Sequence, residues 1–242
     1  MFLLSTNAKL EKRNGQQFLI AGLSLAPHGI GDYQVCPNAT SGCKSACVLW
    51  FTGRTVMPKT RNAMKRRKNL FFENRELFLD QLRHDIAKHI RLANMAKVKA
   101  AVRLNVASDL DWSQFVTEFP QVSFYDYTKV KSRTLDDSWP ENYQLTYSLN
   151  ERTRWQTTRA ILDRGKNVAA VFSTRYHPQS GRIDALPDSY RLNNREYQVI
   201  DGDVHDVRLK ELDGSGVIVG LRFKGSLKRR KQAIENGFCL AV

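Results

Sequence analysis

The sequence predicts an α/β fold built on a mainly parallel sheet. Short segments rich in Val, Ile, Phe, Tyr and Thr recur along the chain, and segments with helical spacing of apolar residues lie between them. This alternation of strands and helices is typical of βαβ connections. From the residues alone, the sheet could be an open sheet or a partial barrel.

Seven segments have the composition expected of strands. They are residues 16–26, 99–107, 121–128, 143–149, 167–174, 197–203 and 216–224. Their order along the chain, each followed by a helical or polar segment, is what a parallel sheet requires because parallel neighbours need a crossover connection.

Helical spacing is clearest where Leu79, Leu82, Ile86, Ile90 and Leu92 fall roughly on one face. Shorter helices are expected at four further places, residues 110–119, 129–138, 152–164 and 226–236. These helices supply the crossovers between the predicted strands.

The composition predicts one globular α/β domain spanning residues 1–242. Hydrophobic residues make up 42% and charged residues 26% of the chain, which is close to the globular average and argues against disorder. A Pro/Gly/Asn-rich segment at 177–195 is expected to leave the sheet as an excursion, either a lid or a strand-deficient insertion.

The charge balance predicts a polyanion-binding protein. The chain has 38 Lys and Arg against 24 Asp and Glu, a net charge of +14, so nucleic acid is the first candidate partner and solubility alone is the alternative explanation. No motif for sequence-specific recognition is present, so we expect electrostatic binding to DNA or RNA. Two basic runs are the predicted contacts: Lys59, Arg61, Lys65, Arg66, Arg67 and Lys68, then Lys228, Arg229, Arg230 and Lys231.

No apolar segment approaches the roughly 20 residues of a membrane span, and the first residues lack the pattern of a signal peptide. We therefore expect a cytoplasmic protein with no membrane partner. In a reducing compartment, clustered cysteines are metal ligands or reactive thiols more often than disulfides.

Polar residues follow several predicted strands. Ser108 and Asp109 come after the second strand, and Asn150 comes after the fourth. Because the carboxyl ends of parallel strands meet at one edge of the sheet, where such folds bind ligands, these three residues are predicted to bind a small cofactor.

Three cysteines lie in a loop predicted at residues 27–50, after the first strand. Cys36, Cys43 and Cys47 have the spacing C-x6-C-x3-C, and the last two would share one face of a helical turn. Three close thiolates suit a four-iron cluster with one open iron. Zinc, with His28 or Cys239 as a fourth ligand, and plain thiols are the alternatives, although Cys239 is expected to be a buried small hydrophobe.

The motifs "CPNATSGCKSAC", "VRLNVASD", "VSFYDYTK", "VIDGDVHD" and "GVIVGLRFKG" identify a resemblance. In this order they resemble the bacteriophage family known as gene product eighty-eight, whose members look like minimal relatives of radical S-adenosylmethionine (radical SAM) proteins. The resemblance covers most of the chain. It implies a partial (β/α) barrel, TIM-barrel-like and resembling the radical SAM core, with a 4Fe-4S cluster held by the three cysteines.

In radical SAM proteins the cysteine pattern is C-x3-C-x2-C, and a Gly-Gly-Glu stretch follows the second strand. This chain has the longer cysteine spacing and "ASD" at the second position, so the resemblance gives Asp109 the part of that carboxylate. S-adenosylmethionine is accordingly a candidate ligand of the open iron.

Three functions are compatible with these patterns. The first is an iron–sulfur phage protein of radical SAM-like architecture that acts on nucleic acid or a nucleotide in the host cytoplasm. The second is a non-catalytic module in which the metal staples a loop and the surface binds nucleic acid or a host protein complex. The third is a divalent-metal nuclease built on Asp201, Asp203 and Asp206.

Overall fold

A computed structural model describes residues 2–6, 10, 17–51, 55–175, 177 and 180–242. Gln16, the first residue of the first predicted strand, lies outside the described residues, as do positions 178 and 179 of the predicted excursion. None of the described helices is both long enough and apolar enough to cross a bilayer.

The described part of the chain forms a nine-stranded sheet in the order β1-β2-β3-β4-β5-β6-β9-β8-β7. Its strands are β1 Leu4–Ser5, β2 Phe18–Leu23, β3 Lys99–Arg103, β4 Ser123–Thr128, β5 Tyr143–Ser148, β6 Val168–Phe172, β7 Ser189–Leu192, β8 Arg195–Asp201 and β9 Ile218–Arg222. Six of the seven predicted segments contain one of these strands, and the segment 197–203 overlaps β8, which begins two residues earlier.

The described helices are α1 Ser41–Ser45, α2 Val48–Phe51, α3 Pro58–Glu73, α4 Arg75–Met95, α5 Ser113–Val116, α6 Lys131–Leu135, α7 Trp155–Leu162, α8 Lys210–Asp213 and α9 Leu227–Glu235. The basic run at 59–68 falls inside α3 and the run at 228–231 inside α9. The residues with helical spacing from Leu79 to Leu92 lie inside α4, and the four shorter predicted segments contain α5, α6, α7 and α9.

Most of the sheet is parallel. β2, β3, β4, β5 and β6 are neighbours in chain order, and β9 and β8 continue the sheet in the same direction. The two edges are antiparallel, since β1 pairs with β2 and β7 with β8. A mixed α/β fold with a mainly parallel sheet is therefore confirmed.

Two apolar layers cover the sheet. On one face, Phe78, Leu82 and Ile86 of α4 pack against Val102 and Phe124. All five side chains are 0% exposed. Burying this apolar stripe is what makes an amphipathic helix of this length stable.

The opposite face carries a second cluster, in which Phe18 and Ile20 of β2 and Tyr125 of β4 pack against Val207 and Leu209. The last two residues belong to the segment after β8. The segment after β8 therefore folds back over β2 and β4, which lie several positions away from β8 in the sheet.

The excursion at 177–195 is not strand-deficient, because it contains β7. Residues 189–192 pair with 195–198 of β8 across a two-residue turn, and Asn193 there has a positive φ of 56°. Asn tolerates this left-handed conformation in hairpin turns. β7 was not predicted because its sequence, Ser-Tyr-Arg-Leu, lies in a segment dominated by turn-forming residues.

Candidate functional site

The three cysteines lie in the loop that follows β2, as the sequence predicted. Cys43 lies in α1, Cys36 precedes it, and Cys47 lies between α1 and α2; all three are free and half-buried. Thr40 caps α1, because its Oγ1 accepts a hydrogen bond from the Cys43 N–H at 3.2 Å. The cap fixes the start of the helix that presents Cys43.

Glu151, just after β5, holds this short helix in place. Its Oε2 accepts a bond from Thr40 Oγ1 at 2.7 Å, and its Oε1 accepts bonds from Gly42 N at 2.8 Å and Ser41 Oγ at 3.2 Å. Burial raises the pKa of Glu151, but these hydrogen bonds outweigh it and lower that pKa overall. An ionised carboxylate therefore joins the cysteine loop to the carboxyl end of β5.

Gly42 is closely packed against this carboxylate. A Cβ at this position would lie 2.5 Å from Glu151 Oε2, 2.8 Å from its Cδ and 3.0 Å from Phe238 Cβ. No side chain fits there unless Glu151 moves.

Gly42→Ala is expected to lower the free energy of unfolding by about 1–2 kcal/mol. Overpacking costs about 1–3 kcal/mol, the 2.5 Å approach to Glu151 calls for the upper part of that range, and alanine returns about 1 kcal/mol in a helix interior. Urea denaturation of the variant beside Lys44→Ala, an exposed change in the same helix, measures the effect. A Gly42→Ala protein as stable as the wild type would mean that Glu151 is not held against α1.

The cysteines line a cavity of about 260 Å³ at the carboxyl end of the sheet. Its other walls come from the ends of β3, β4, β5, β6 and β9 and from the segments after them. This is the edge where parallel α/β folds bind their ligands. Apolar side chains form much of the wall, with Val106, Leu221 and Phe238 among them.

Burial favours the neutral form of the three thiols. Burial, followed by the charges of Cys47 and Cys43, raises the pKa of Cys36 to about 12. Burial also raises the pKa of Cys43, although the nearby Lys129 ammonium opposes the rise, and it raises the pKa of Cys47. The Cys36 thiol donates to the Ala107 carbonyl at 3.4 Å.

Two of the three predicted cofactor-binding residues line the cavity. Asp109 accepts bonds from Thr128 Oγ1 at 2.8 Å and Lys129 N at 2.9 Å, and Ser108 donates to Asn105 at 2.7 Å. Both side chains are thus engaged in fixing the loop after β3. Asn150 is not among the cavity-lining residues, and its Oδ1 accepts from Arg152 N in a turn.

Four cations of the cavity wall were not predicted as site residues: Arg103, Lys129, Arg222 and Lys224. Lys129 Nζ donates to Ser148 Oγ at 3.0 Å and to the Leu149 carbonyl at 3.2 Å. The signal for Lys129 was its position directly after β4. Arg103 had no such signal, because it lies within a strand and only its side-chain direction brings it to the cavity.

The three aspartates of the nuclease alternative are paired with cationic side chains, and Asp201 and Asp203 share Arg222. Asp206 is buried and accepts from Arg103 Nη1 at 2.9 Å, whereas Asp201 pairs with Arg222 at 2.8 Å and Asp203 with Lys224 at 2.7 Å. Among the residues that the structure describes, no group of three or more His, Cys, Asp or Glu, the three cysteines included, is arranged to hold a single metal ion.

Neither suggested fourth zinc ligand lines the cysteine cavity. Cys239 is 3% exposed and packs with Phe223 and Ala233, which confirms that it is a buried small hydrophobe. His28 is half-buried with its ring centroid 6.1 Å from that of Trp50.

The two basic runs both contact the cysteine loop. On α3, Lys68 is 0% exposed and its ammonium donates to the Ile30 and Tyr33 carbonyls. Its charge is therefore buried against the loop and is not presented to solvent, and a contact of Lys68 with nucleic acid stays a prediction. On α9, Arg229 Nη1 donates to the Ser45 carbonyl at 3.1 Å.

Comparison with known proteins gives one family match. The model of the family described as Gene product 88 matches residues 1–241. No curated protein and no solved structure matches the chain.

Proposed function

The chain belongs to the Gene product 88 family, and we propose that it is an iron–sulfur protein in which Cys36, Cys43 and Cys47 bind a 4Fe-4S cluster. One observation carries the proposal: three free, half-buried cysteines from one loop line a single cavity at the carboxyl end of the sheet. Cysteine thiolates are the usual ligands of such clusters.

The donor set fits a cluster better than a single zinc ion. A cluster places each thiolate on its own iron, so the sulfurs must surround one cavity and need not meet at one point. Zinc needs four donors at about 2.0–2.3 Å from one centre, and neither His28 nor Cys239 lines this cavity. With three protein ligands, one iron of such a cluster would have no cysteine ligand.

When bound, such a cluster would supply one-electron chemistry and an iron able to bind a small ligand, with S-adenosylmethionine as a candidate. The chain's own residues prepare the site. Glu151 fixes α1, and Asp109 fixes the loop after β3. Lys129 places a positive charge near Cys43, where a thiolate would form.

We infer that the sheet curls into a partial barrel, which supports the radical SAM-like architecture. β8 and β3 are five positions apart in the sheet order, about 24 Å if the sheet were flat. Yet Asp206, five residues after the end of β8, contacts Arg103 of β3 at 2.9 Å and Tyr125 of β4 at 3.2 Å. Five residues span at most about 18 Å, so across a flat sheet the segment and the side chains would all have to be almost fully extended, whereas a curled sheet brings the strands close enough for these contacts.

The proposal predicts about four iron and four sulfide ions per chain after anaerobic reconstitution. The reconstituted protein should also absorb at about 400 nm, as iron–sulfur clusters do. Cys36→Ser, Cys43→Ser and Cys47→Ser should each lose most of this iron. Cys239→Ser is the matched control and should retain it, because Cys239 lies outside the cavity.

A colourless protein with one zinc per chain and no iron would contradict the cluster. If the cluster is present, incubating the reduced protein with S-adenosylmethionine separates an enzyme from a non-catalytic module. Cleavage that depends on Cys43 supports an enzyme, and its absence supports the module.

A second proposal is association with nucleic acid. The net charge is +14, and exposed cations on the helix beside the cysteine loop, including Lys59, Lys65 and Arg66, are available to phosphates. Retention of radiolabelled DNA or RNA on a filter, weakening steeply with salt, would support it. No retention at low salt would remove it.

A further inference from the structure

Helix α3 has two faces of opposite character. Met64, Lys68 and Phe71 form the buried face, which packs on the core and the cysteine loop. At 3.6 residues per turn, the opposite face consists of Lys59, Asn62, Lys65, Arg66 and Asn69. All of these are exposed except Asn69, which is half-buried.

This outer face is rich in positive charge and carries the exposed amide of Asn62, whereas the Asn69 side-chain oxygen is buried. Lys59, Lys65 and Arg66 have no ion-pair partner among the described residues, and Glu73 at the end of the helix is the acidic residue on this face. A groove of about 580 Å³ runs along the helix, lined by Asn62, Lys65, Arg66, Asn69, Leu70 and Glu73. The charge is therefore free to meet a polyanion.

Helix α9 carries a similar basic run but uses most of it within the protein. Arg229 donates to the Ser45 carbonyl and Arg230 to the Ser173 carbonyl. Lys231 lies 3.9 Å from Glu235. Among the described contacts, Lys228 is the cation of this run that the fold does not engage.

We propose that the outer face of α3 is the surface that binds duplex DNA, and that the basic run of α9 is structural. The inference depends on the proposal that the chain associates with nucleic acid. An α-helix fits the DNA major groove, where Lys and Arg meet phosphates and Asn can bond the edge of adenine. The exposed cations of α3 and the exposed amide of Asn62 match these requirements together.

The test compares two triple variants with the same loss of charge. Lys59→Gln, Lys65→Gln and Arg66→Gln remove the cations of the α3 face. Arg91→Gln, Lys131→Gln and Arg191→Gln remove three exposed cations elsewhere. Fluorescence anisotropy with a 20-base-pair DNA duplex, at several salt concentrations, gives the affinity and its salt slope, while circular dichroism checks folding.

The α3 variant should bind at least about tenfold more weakly at 100 mM salt and lower the salt slope by about 3, one unit for each lost phosphate contact. The matched variant should bind within about twofold of the wild type. A third variant, Lys228→Gln with Lys231→Gln, should also bind nearly normally.

The outcomes separate the two proposals. If the wild type binds no nucleic acid at low salt, the proposed association itself fails. If it binds but the α3 variant binds equally well, or the α9 variant loses affinity instead, the assignment to α3 is overturned. Preferential binding to single strands or to duplex RNA would also overturn it, since α3 is assigned to the DNA major groove.

Discussion

Asp206→Asn is expected to lower the free energy of unfolding by about 3 kcal/mol or more, the usual cost of removing one partner of a buried ion pair. Asp206 is 3% exposed and accepts two bonds from Arg103 Nη1, at 2.9 and 3.1 Å, and one from Tyr125 at 3.2 Å. Asn keeps the shape of Asp but leaves the buried guanidinium without this charge.

Asp201→Asn is the matched control for this measurement. Asp201 also pairs with an arginine, Arg222 at 2.8 Å, but its side chain is 37% exposed. Water screens such a pair, so its loss should cost less than about 1 kcal/mol. Urea denaturation of both variants measures the difference, and equal losses would mean that Asp206 does not pair inside the fold.

The same two variants address the nuclease alternative. If Asp201 and Asp206 held a divalent cation together, either change would abolish magnesium-dependent cleavage of plasmid DNA. In the structure, Asp206 pairs with Arg103 and Asp201 with Arg222. We therefore expect that even the wild-type protein does not cleave plasmid DNA. Plasmid nicking that requires both residues would reverse this expectation.

The contacts of Asp206 belong to the part of the fold that could not be predicted from the sequence. Seven of the nine described strands were predictable, because they lie in segments rich in Val, Ile, Phe, Tyr and Thr. The order of β1 to β6 in the sheet follows their order in the chain. The reversal to β9-β8-β7 depends on the hairpin at Asn193 and on the segment of Asp206 that folds back onto β3. Contacts this distant in sequence leave no local pattern.

The cavity-lining residues, like the sheet order, could be predicted from the sequence only in part. The cysteines were evident from their spacing, and the rule that ligands bind at the carboxyl ends of strands placed Asp109 and Ser108 correctly at the cavity. The roles of Glu151 and Arg103 could not be predicted from the sequence. A polar residue after a strand, or a cation within a strand, can have many common structural roles. Only the neighbours of each side chain distinguish these roles.

Lys65 and Lys68 lie within one turn of α3, yet Lys65 is exposed and Lys68 is buried, a difference that the sequence alone does not show. The burial of Lys68 is the basis of the second large expected effect. Lys68→Met is expected to lower the free energy of unfolding by about 2–4 kcal/mol. Its ammonium donates to the Ile30 and Tyr33 carbonyls, and hydrogen bonds to charged groups contribute about 1.5–3 kcal/mol each, with less than full additivity. Methionine preserves the length of the side chain but leaves both carbonyls without this donor.

Lys65→Met is the matched control, since the same substitution falls on the exposed face of the same helix. It should change the free energy of unfolding by less than about 0.5 kcal/mol and weaken DNA binding. Lys68→Met should do the reverse: it should destabilise the fold and the cysteine loop, and leave the DNA affinity of the folded protein nearly unchanged. If Lys68→Met were instead neutral for stability and costly for DNA binding, Lys68 would have to leave its buried position to reach phosphate, and α3 would not have the two faces described for it.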